Sequence, residues 1–458
     1  MSLALDSTSS NGQIVTSSSN DVPAPTLSVW DATMITVGIV IGAGIFQTPA
    51  LVANIAGSPG WMLAAWALGG LLSFVGALTY VELATAYPSA GGDYSFLTRA
   101  YGKNVSFLFA WARSLVIVTG SIALLGFILG DYLTRLFSLG PYSSAIYAAL
   151  AVLLLTSINI AGLRGSSRMQ NVLTLLEIAG VLLVAIAGFM LDRAPPDVNA
   201  AAASATPGAF GLAMVFVLLT FGGWNEAAYV SAEVRGGARA ILRSLLLSIV
   251  LITCVYMLFV FGLLHGLGFA GLRNSEAVGV DVMELAVGPA GAQIVGIFVA
   301  IAALTSMNSS MLVGARTNYS VARDWPIFSF MGGWQGERST PTAGFLVQGA
   351  IALALIAFGA FEKSGFSTMV EFTAPVFWFF FMLSGVALFV LRYKDPTATR
   401  PFRVPLYPVI PLVFVLTCAY LLYSSIMHAQ SQNAGWVALA VMMSGVVVWA
   451  VIRKRSDG

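Results

Sequence analysis

The sequence predicts an all-α integral membrane protein with twelve transmembrane helices. Three observations predict it: a charge content too low for a water-facing surface, twelve apolar runs of spanning length, and a one-sided distribution of Lys and Arg. Of 458 residues, 58% are hydrophobic and 9% charged, and the mean hydropathy is +0.86. A soluble domain carries roughly 25% charge. Lipid as solvent then dictates the element type, because every backbone N–H and C=O must be satisfied within its own segment. Crossing ~30 Å of hydrocarbon takes ~20 residues as helix.

The runs fall near 32–55, 61–84, 105–129, 143–162, 171–191, 209–230, 244–265, 290–314, 342–361, 368–392, 406–427 and 434–452. They are too long for the strands of a membrane barrel. Residues 1–26 hold twelve Ser, Thr or Asn and no Lys or Arg. They read as a disordered tail without the charged start and apolar core of a secretory signal. Residues 27–400 read as a ten-helix core, and 401–458 as helices 11 and 12 with the C-terminus. Between spans 7 and 8, the stretch 266–289 carries Val280, Val282, Met283 and Leu285 beside Asp281 and Glu284, which suits a short surface helix.

Orientation follows from the bases, which favour the cytoplasmic side. An even number of spans puts both termini on one face. That face collects seventeen of the 22 bases: Arg99, Lys103, Arg164, Arg168, Arg235, Arg239, Arg243, Arg316, Arg323, Arg338, Arg392, Lys394, Arg400, Arg403, Arg453, Lys454 and Arg455. Arg135, Arg193, Arg273 and Lys363 fall on the other face, and Arg113 lies within span 3. A miscounted span would reverse every later loop, so the same pattern supports the count of twelve and predicts cytoplasmic termini.

Composition and motifs exclude several function classes. The net charge of +2 gives no footing for nucleic acid. Two cysteines, Cys254 and Cys418, and two histidines, His265 and His428, leave no disulfide framework, no metal cluster and no nucleophile–base set for an intramembrane enzyme. There is no phosphate-binding loop of the GxxxxGK[ST] type, hence no ATPase engine, and no cofactor is called for.

Two spans are interrupted by glycine near their middles: Val40-Ile41-Gly42-Ala43-Gly44-Ile45-Phe46 in span 1 and Phe221-Gly222-Gly223-Trp224-Asn225-Glu226 in span 6. Spans 1 and 6 are corresponding members of two five-helix halves. Broken helices at corresponding positions point to a transporter's binding site. A break exposes free N–H groups at one half-helix start and free carbonyls at the other's end, which is what a zwitterion in hydrocarbon requires. The amides of Ala43, Gly44 and Ile45 are placed to take a carboxylate, and carbonyls around Val40, Leu219 and Gly222 to take an ammonium. The competing reading is that these small residues serve close helix packing.

The same residues carry a resemblance. Ile35 to Phe46 resembles the first-helix signature of the amino acid–polyamine–organocation superfamily. Tyr80-Val81-Glu82-Leu83 with Pro88-Ser89-Ala90-Gly91-Gly92-Asp93-Tyr94 resembles the end of its second helix and the loop that follows. Phe221 to Asn225 resembles the sixth helix of the L-type amino-acid transporter branch. Arg316, Tyr319, Ala322, Arg323 and Asp324 resemble the end of helix 8, and Arg400 to Pro405 the segment before helix 11. The resemblance covers about residues 30–425. It implies the five-plus-five inverted-repeat fold of the leucine-transporter type with two extra helices, and amino-acid transport by alternating access. It also implies that the amides of Ala43 and Gly44 hold the substrate carboxylate, and the carbonyls of Val40, Leu219 and Gly222 its amine. Two positions depart from the pattern. Leu219 stands where the L-type branch often has an aromatic lid, so ring closure there does not carry over. Glu177 stands where many relatives carry a lysine thought to replace a sodium ion, so coupling through that lysine does not carry over either.

Ionisable groups within spans are functional candidates. Glu226 follows the break of span 6 and is read as a contact to substrate or a proton carrier, or as a cap or ion-pair partner. Glu177, a third of the way along span 5, is costly in its charged form unless a cation is near. It is read either as a coupling group or as the partner of Arg113. Glu82 and Asp93 are read as solvated structural pairs at the inner edge of span 2, or as an inner gate, and Glu371 as an interfacial carboxylate. Phe221, Gly42 and Asn225 are counted with the binding stretches. Trp224 is read as a wall of the substrate pocket or as bundle packing. Ser306, Ser309 and Ser310 offer hydroxyls to a sodium ion, or bond back to their own helix. Together these residues predict a secondary active permease of the inner or plasma membrane for small or apolar amino acids, by proton symport or exchange. A cationic amino-acid or polyamine transporter is the alternative, and a transport-like sensor or channel a further one.

Overall fold

The computed structural model describes residues 27–89, 91–160, 167–192, 206–331, 342–362, 364–427 and 432–456. The expected tail at 1–26, Ala90, the loop bases Arg164, Arg193, Arg338 and Lys363, and His428 lie outside the described residues. So do the side chains of Arg168, Arg316, Tyr319, Arg323, Lys454 and Arg455.

Span 1 is split as its glycines require. Helix α1 (Val29–Val40) starts at Ser28, whose side chain caps Asp31 in a reciprocal capping box, the arrangement that satisfies two orphan donors. It stops at Ile41, a 3₁₀ turn covers Ala43–Phe46, and α2 (Thr48–Ala56) completes the crossing before Gly57 ends it with φ +73°. Span 2 is α3 (Pro59–Ala86). A short helix, α4 (Asp93–Tyr101), precedes span 3, which is α5 (Lys103–Ala112), a π-helical turn at Arg113–Ile117 and α6 (Val118–Leu136). Spans 4 and 5 are α7 (Ser143–Ile160) and α8 (Ser167–Met190).

Span 6 repeats the break of span 1. Helix α9 (Pro207–Thr220) gives way at Phe221–Gly223 to a 3₁₀ segment over Trp224–Glu233. Gly223 has φ +108°, and a Cβ there would lie 2.7 Å from Ile39 Cγ2 of α1; no other residue type passes so close to span 1 in that conformation. The two broken spans are also joined end to end, where the Arg235 amide donates to the Leu27 carbonyl at 2.8 Å.

The remaining spans are α10 (Gly237–Asn274), α12 (Ala290–Asp324), α13 (Thr342–Ala360), α14 (Gly365–Lys394), α15 (Val409–Met427) and α16 (Gln432–Ser456). Among the described residues eleven helices are long and apolar enough to cross a membrane, and α1 with α2 supplies the twelfth crossing. Spans 3, 7 and 8 extend beyond the hydrophobic windows, because hydropathy detects only the lipid-depth part of a helix that continues into the interface. The stretch between spans 7 and 8 does form a surface helix, α11 (Val278–Val287), with Val278, Val280, Val282 and Met283 buried and Leu285 exposed.

The termini-side end of the bundle is stitched by Glu82. Its carboxylate accepts from Arg392 Nε at 2.8 Å and Nη2 at 2.6 Å, and from the Val404 amide at 2.7 Å. Arg400 lies 3.7 Å away and donates to the Leu391 and Asp395 carbonyls at the end of α14. Glu82 is therefore fully buried, not solvated, since a carboxylate with three strong donors can leave water. Asp93 and Glu371 are buried as well, so neither is a solvated or interfacial carboxylate.

Candidate functional site

A cavity of about 160 Å³ lies between the two breaks. By the same measure a water occupies ~10–15 Å³, so the space holds on the order of ten heavy atoms, the size of a small or medium amino acid. Ile39, Val40, Gly42, Gly44 and Thr48 of span 1 form one wall, and Phe216, Leu219, Thr220, Gly222, Gly223, Asn225 and Glu226 of span 6 another. Span 3 adds Arg113, Ile117, Val118, Ser121, Leu124 and Leu125, span 8 adds Ser309, Ser310 and Val313, and span 10 adds Phe366, Val370, Thr373 and Phe377.

The break in span 1 presents donors. The amides of Ala43 and Gly44 head the 3₁₀ turn and have no backbone acceptor among the described residues, while the Ile45 amide reaches the Gly42 carbonyl at 3.5 Å. Gly44 faces open space, since a Cβ added there would meet nothing nearer than Thr220 Cγ2 at 3.9 Å. Gly42 is closed in, its notional Cβ lying 2.6 Å from Ser306 Oγ. One glycine thus leaves a ligand approach and the other a helix contact, which divides the two readings of the cluster between its members.

The acceptors are more occupied than the sequence suggested. The Val40 carbonyl accepts from the Gly42 amide at 2.8 Å and from the Tyr256 hydroxyl at 2.7 Å. The Leu219 carbonyl accepts from the Gly222 amide at 2.9 Å. Tyr256 of α10 also reaches the Thr220 carbonyl at 3.1 Å, so one buried hydroxyl bridges both breaks. Sequence reasoning missed it; the available signal was a Tyr in the middle of an apolar span, whose hydroxyl needs a partner.

Several expected pocket residues lie behind the cavity. Ala43, Ile45, Phe221 and Trp224 are buried and absent from its lining. Trp224 packs within an aromatic cluster of Tyr80, Phe381 and Phe414, with ring centroids 5.2, 5.3 and 6.4 Å away, and Phe221 packs on Trp66 and Tyr256. A 3₁₀ segment turns successive side chains by about 120°, which sends Trp224 outward while Asn225 and Glu226 reach the cavity.

The floor of the cavity is an ion pair. Arg113 Nη2 donates to both Glu226 oxygens, at 3.0 and 2.7 Å, and its Nε donates to Thr317 Oγ1 of α12 at 3.1 Å. Arg113 is 3% exposed and Glu226 16%, so both border the cavity and the guanidinium is the more deeply buried of the two. Arg113 does not pair with Glu177. The π-helical turn, a deviation that often marks functional positions, sits in span 3 where Arg113 meets spans 6 and 8.

Glu177 lies outside the cavity. It is 3% exposed, and neither carboxylate oxygen has a hydrogen-bond partner among the described residues. The Thr305 hydroxyl beside it already donates to the Ile301 carbonyl at 2.8 Å and so can only accept. Ser306 Oγ donates to the Gly38 carbonyl at 3.4 Å, whereas Ser309 and Ser310 line the cavity. No group of three or more His, Cys, Asp or Glu suited to a metal occurs among the described residues.

Below the floor is a second, small cavity of about 10 Å³, room for one water. It shares Arg113, Ile117, Asn225 and Phe377 with the first and adds Asp93, Phe109, Phe380, Phe381 and Ser384. Asp93 accepts from the Tyr80 hydroxyl at 2.7 Å. Burial pushes its carboxyl up, and the Tyr80 hydrogen bond and the Arg113 charge oppose that shift.

A family model described as amino acid permease matches residues 27–452. The b(0,+)-type amino acid transporter 1 of Homo sapiens is 29% identical over 423 residues, covering 91% of this chain and 85% of the relative. The large neutral amino acids transporter small subunit 2 of Homo sapiens is 29% identical over 435 residues, covering 91% and 78%. The serine/threonine exchanger SteT of Bacillus subtilis is 24% identical over 436 residues, covering 93% and 96%.

Proposed function

We propose, for a chain that belongs to the amino acid permease family, that it moves small neutral amino acids across the cell membrane by exchange or proton symport, with both termini in the cytoplasm. Amino-acid transport through a multi-pass membrane protein, without enzymatic chemistry, is what the family and its relatives share. The choice of a neutral substrate rests on one observation, the bidentate Arg113–Glu226 pair in the floor. A second ammonium, as in a cationic amino acid or a polyamine, needs an uncommitted carboxylate, and Glu226 is already neutralised. Removing Arg113 from it would leave a buried charge alone, at a cost of several kcal/mol.

In this reading the Gly44 and Ala43 amides, which have no backbone acceptor among the described residues, hold the substrate carboxylate. The amine lies toward the carbonyls around Val40, Leu219 and Gly222; the Val40 oxygen already accepts two bonds from the chain, so the Leu219 and Gly222 carbonyls are the ones with a lone pair to offer. Thr48, Thr220, Ser121 and Thr373 give the side-chain space hydroxyls among its apolar walls. Exchange is supported by the relative named as a serine/threonine exchanger. Proton coupling is supported by Glu177, a buried carboxyl without a hydrogen-bond partner among the described residues.

The test is uptake into proteoliposomes of labelled L-alanine, L-serine, L-leucine, L-arginine and putrescine, with and without internal amino acid and an imposed pH gradient. Neutral amino acids are expected to enter and L-arginine and putrescine to stay out. Faster uptake of L-arginine than of any neutral amino acid would overturn the substrate assignment. If uptake follows the pH gradient in the native protein and equally in Glu177→Gln, Glu177 is not the coupling group.

A further inference from the structure

The Arg113–Glu226 pair joins parts of the molecule that alternating access must separate. Arg113 is fixed to spans 3 and 8, through its own helix and through Thr317, and Ser114 Oγ donates to Asn318 Oδ1 of span 8 beside it. Glu226 stands on the 3₁₀ half of span 6, directly after the break. Any opening of the cavity toward the termini-side face must pass this floor. Separating a buried bidentate pair with nothing to replace the lost partner would hold the open state to on the order of a thousandth of the population. Such a permease would turn over very slowly.

A replacement partner stands beneath the pair. Asp93 lies on the other side of Arg113, at the head of α4, and the small cavity between them is bordered by both residues. Asp93 is held by the Tyr80 hydroxyl of span 2, and Ser384 of span 10 faces it. We infer that Arg113 is passed between two carboxylates, Glu226 when the floor is closed and Asp93 when it opens, so that Asp93–Arg113–Glu226 forms the inner gate of the permease. Asp93 touches no substrate in this arrangement; it is a positioning residue that keeps the guanidinium compensated while Glu226 swings away. The hydroxyl of Tyr80 competes with Arg113 for Asp93 and biases the gate toward closure.

The gate is read by accessibility, which a purely structural role of Asp93 would not move in a chosen direction. A single reporter, Ser310→Cys, is placed in the cavity of a full-length chain carrying Cys254→Ser and Cys418→Ser. Its labelling by a membrane-impermeant thiosulfonate is timed from each face of sealed vesicles. Glu226→Gln is expected to raise the labelling rate from the termini-side face at least tenfold, because the closed partner is lost. Asp93→Asn is expected to lower that rate at least tenfold and raise the rate from the opposite face, and Asp93→Glu to restore both. Tyr80→Phe, which keeps the ring and removes the hydroxyl's hydrogen bond to Asp93, is expected to raise termini-side labelling severalfold. It serves as the deciding variant should Asp93→Asn fail to fold. Unchanged labelling in Asp93→Asn and in Tyr80→Phe, or a rise in Asp93→Asn equal to that in Glu226→Gln, would overturn the inference.

Discussion

Gly44 offers the cleanest separation of binding from folding. Its notional Cβ meets only Thr220 Cγ2, at 3.9 Å, an ordinary contact, so the Cβ added by Gly44→Val enters open cavity and its two γ-methyls follow it there. Those atoms occupy the approach to the Gly44 amide. A hydrogen bond from an amide to a carboxylate contributes about 1.5–3 kcal/mol, and its loss lowers affinity by about tenfold to 100-fold at 1.4 kcal/mol per decade. Gly44→Val is therefore expected to elute as a monodisperse protein with native apparent Tm and to show at least tenfold weaker binding and uptake. Gly42→Ala is the contrasting variant. Its Cβ would lie 2.6 Å from Ser306 Oγ and 3.3 Å from Ser306 Cβ, so it is expected to lower Tm, with partial recovery when Ser306→Ala removes the hydroxyl. The assays are size-exclusion fluorescence for Tm and proteoliposome uptake of labelled L-alanine and L-serine. Native uptake of both in Gly44→Val would refute a carboxylate site at the first break.

Three further outcomes follow from named contacts. Tyr256→Phe removes the hydroxyl that bridges the Val40 and Thr220 carbonyls and is expected to cost about 1–3 kcal/mol, seen as a lower Tm and slower uptake; unchanged values for both would mean that the bridge contributes nothing. Glu82→Gln leaves Arg392 without its carboxylate in a buried site, for an expected loss of about 3–5 kcal/mol, checked by thermal denaturation in detergent, where a native Tm would contradict the pairing. Trp224→Phe keeps an aromatic in the cluster of Tyr80, Phe381 and Phe414. It is expected to lower Tm while leaving the KM for uptake within about twofold, as a pocket wall would not.

The sequence by itself determined the solvent, the number of crossings and the places where two of them break. Those properties are local: lipid admits only self-satisfied helices, and glycine at Gly42, Gly44, Gly222 and Gly223 acts on its own backbone. Which side chains meet across the bundle is not local. Arg113 and Glu226 are separated by more than a hundred residues, and the sequence offered Arg113 only Glu177 as a partner. The tertiary structure chose Glu226 and left the Glu177 oxygens without a hydrogen-bond partner among the described residues. Facing was equally hidden: hydropathy ranks Trp224 beside Asn225 without saying that a 3₁₀ twist sends one to the aromatic core and the other to the cavity. Burial of Glu82 was invisible because its donors, Arg392 and the Val404 amide, lie over 300 residues further on. Periodicity and composition act over one helix, whereas the charge pairing that shapes this site is settled only when spans 3, 6, 8 and 10 have packed.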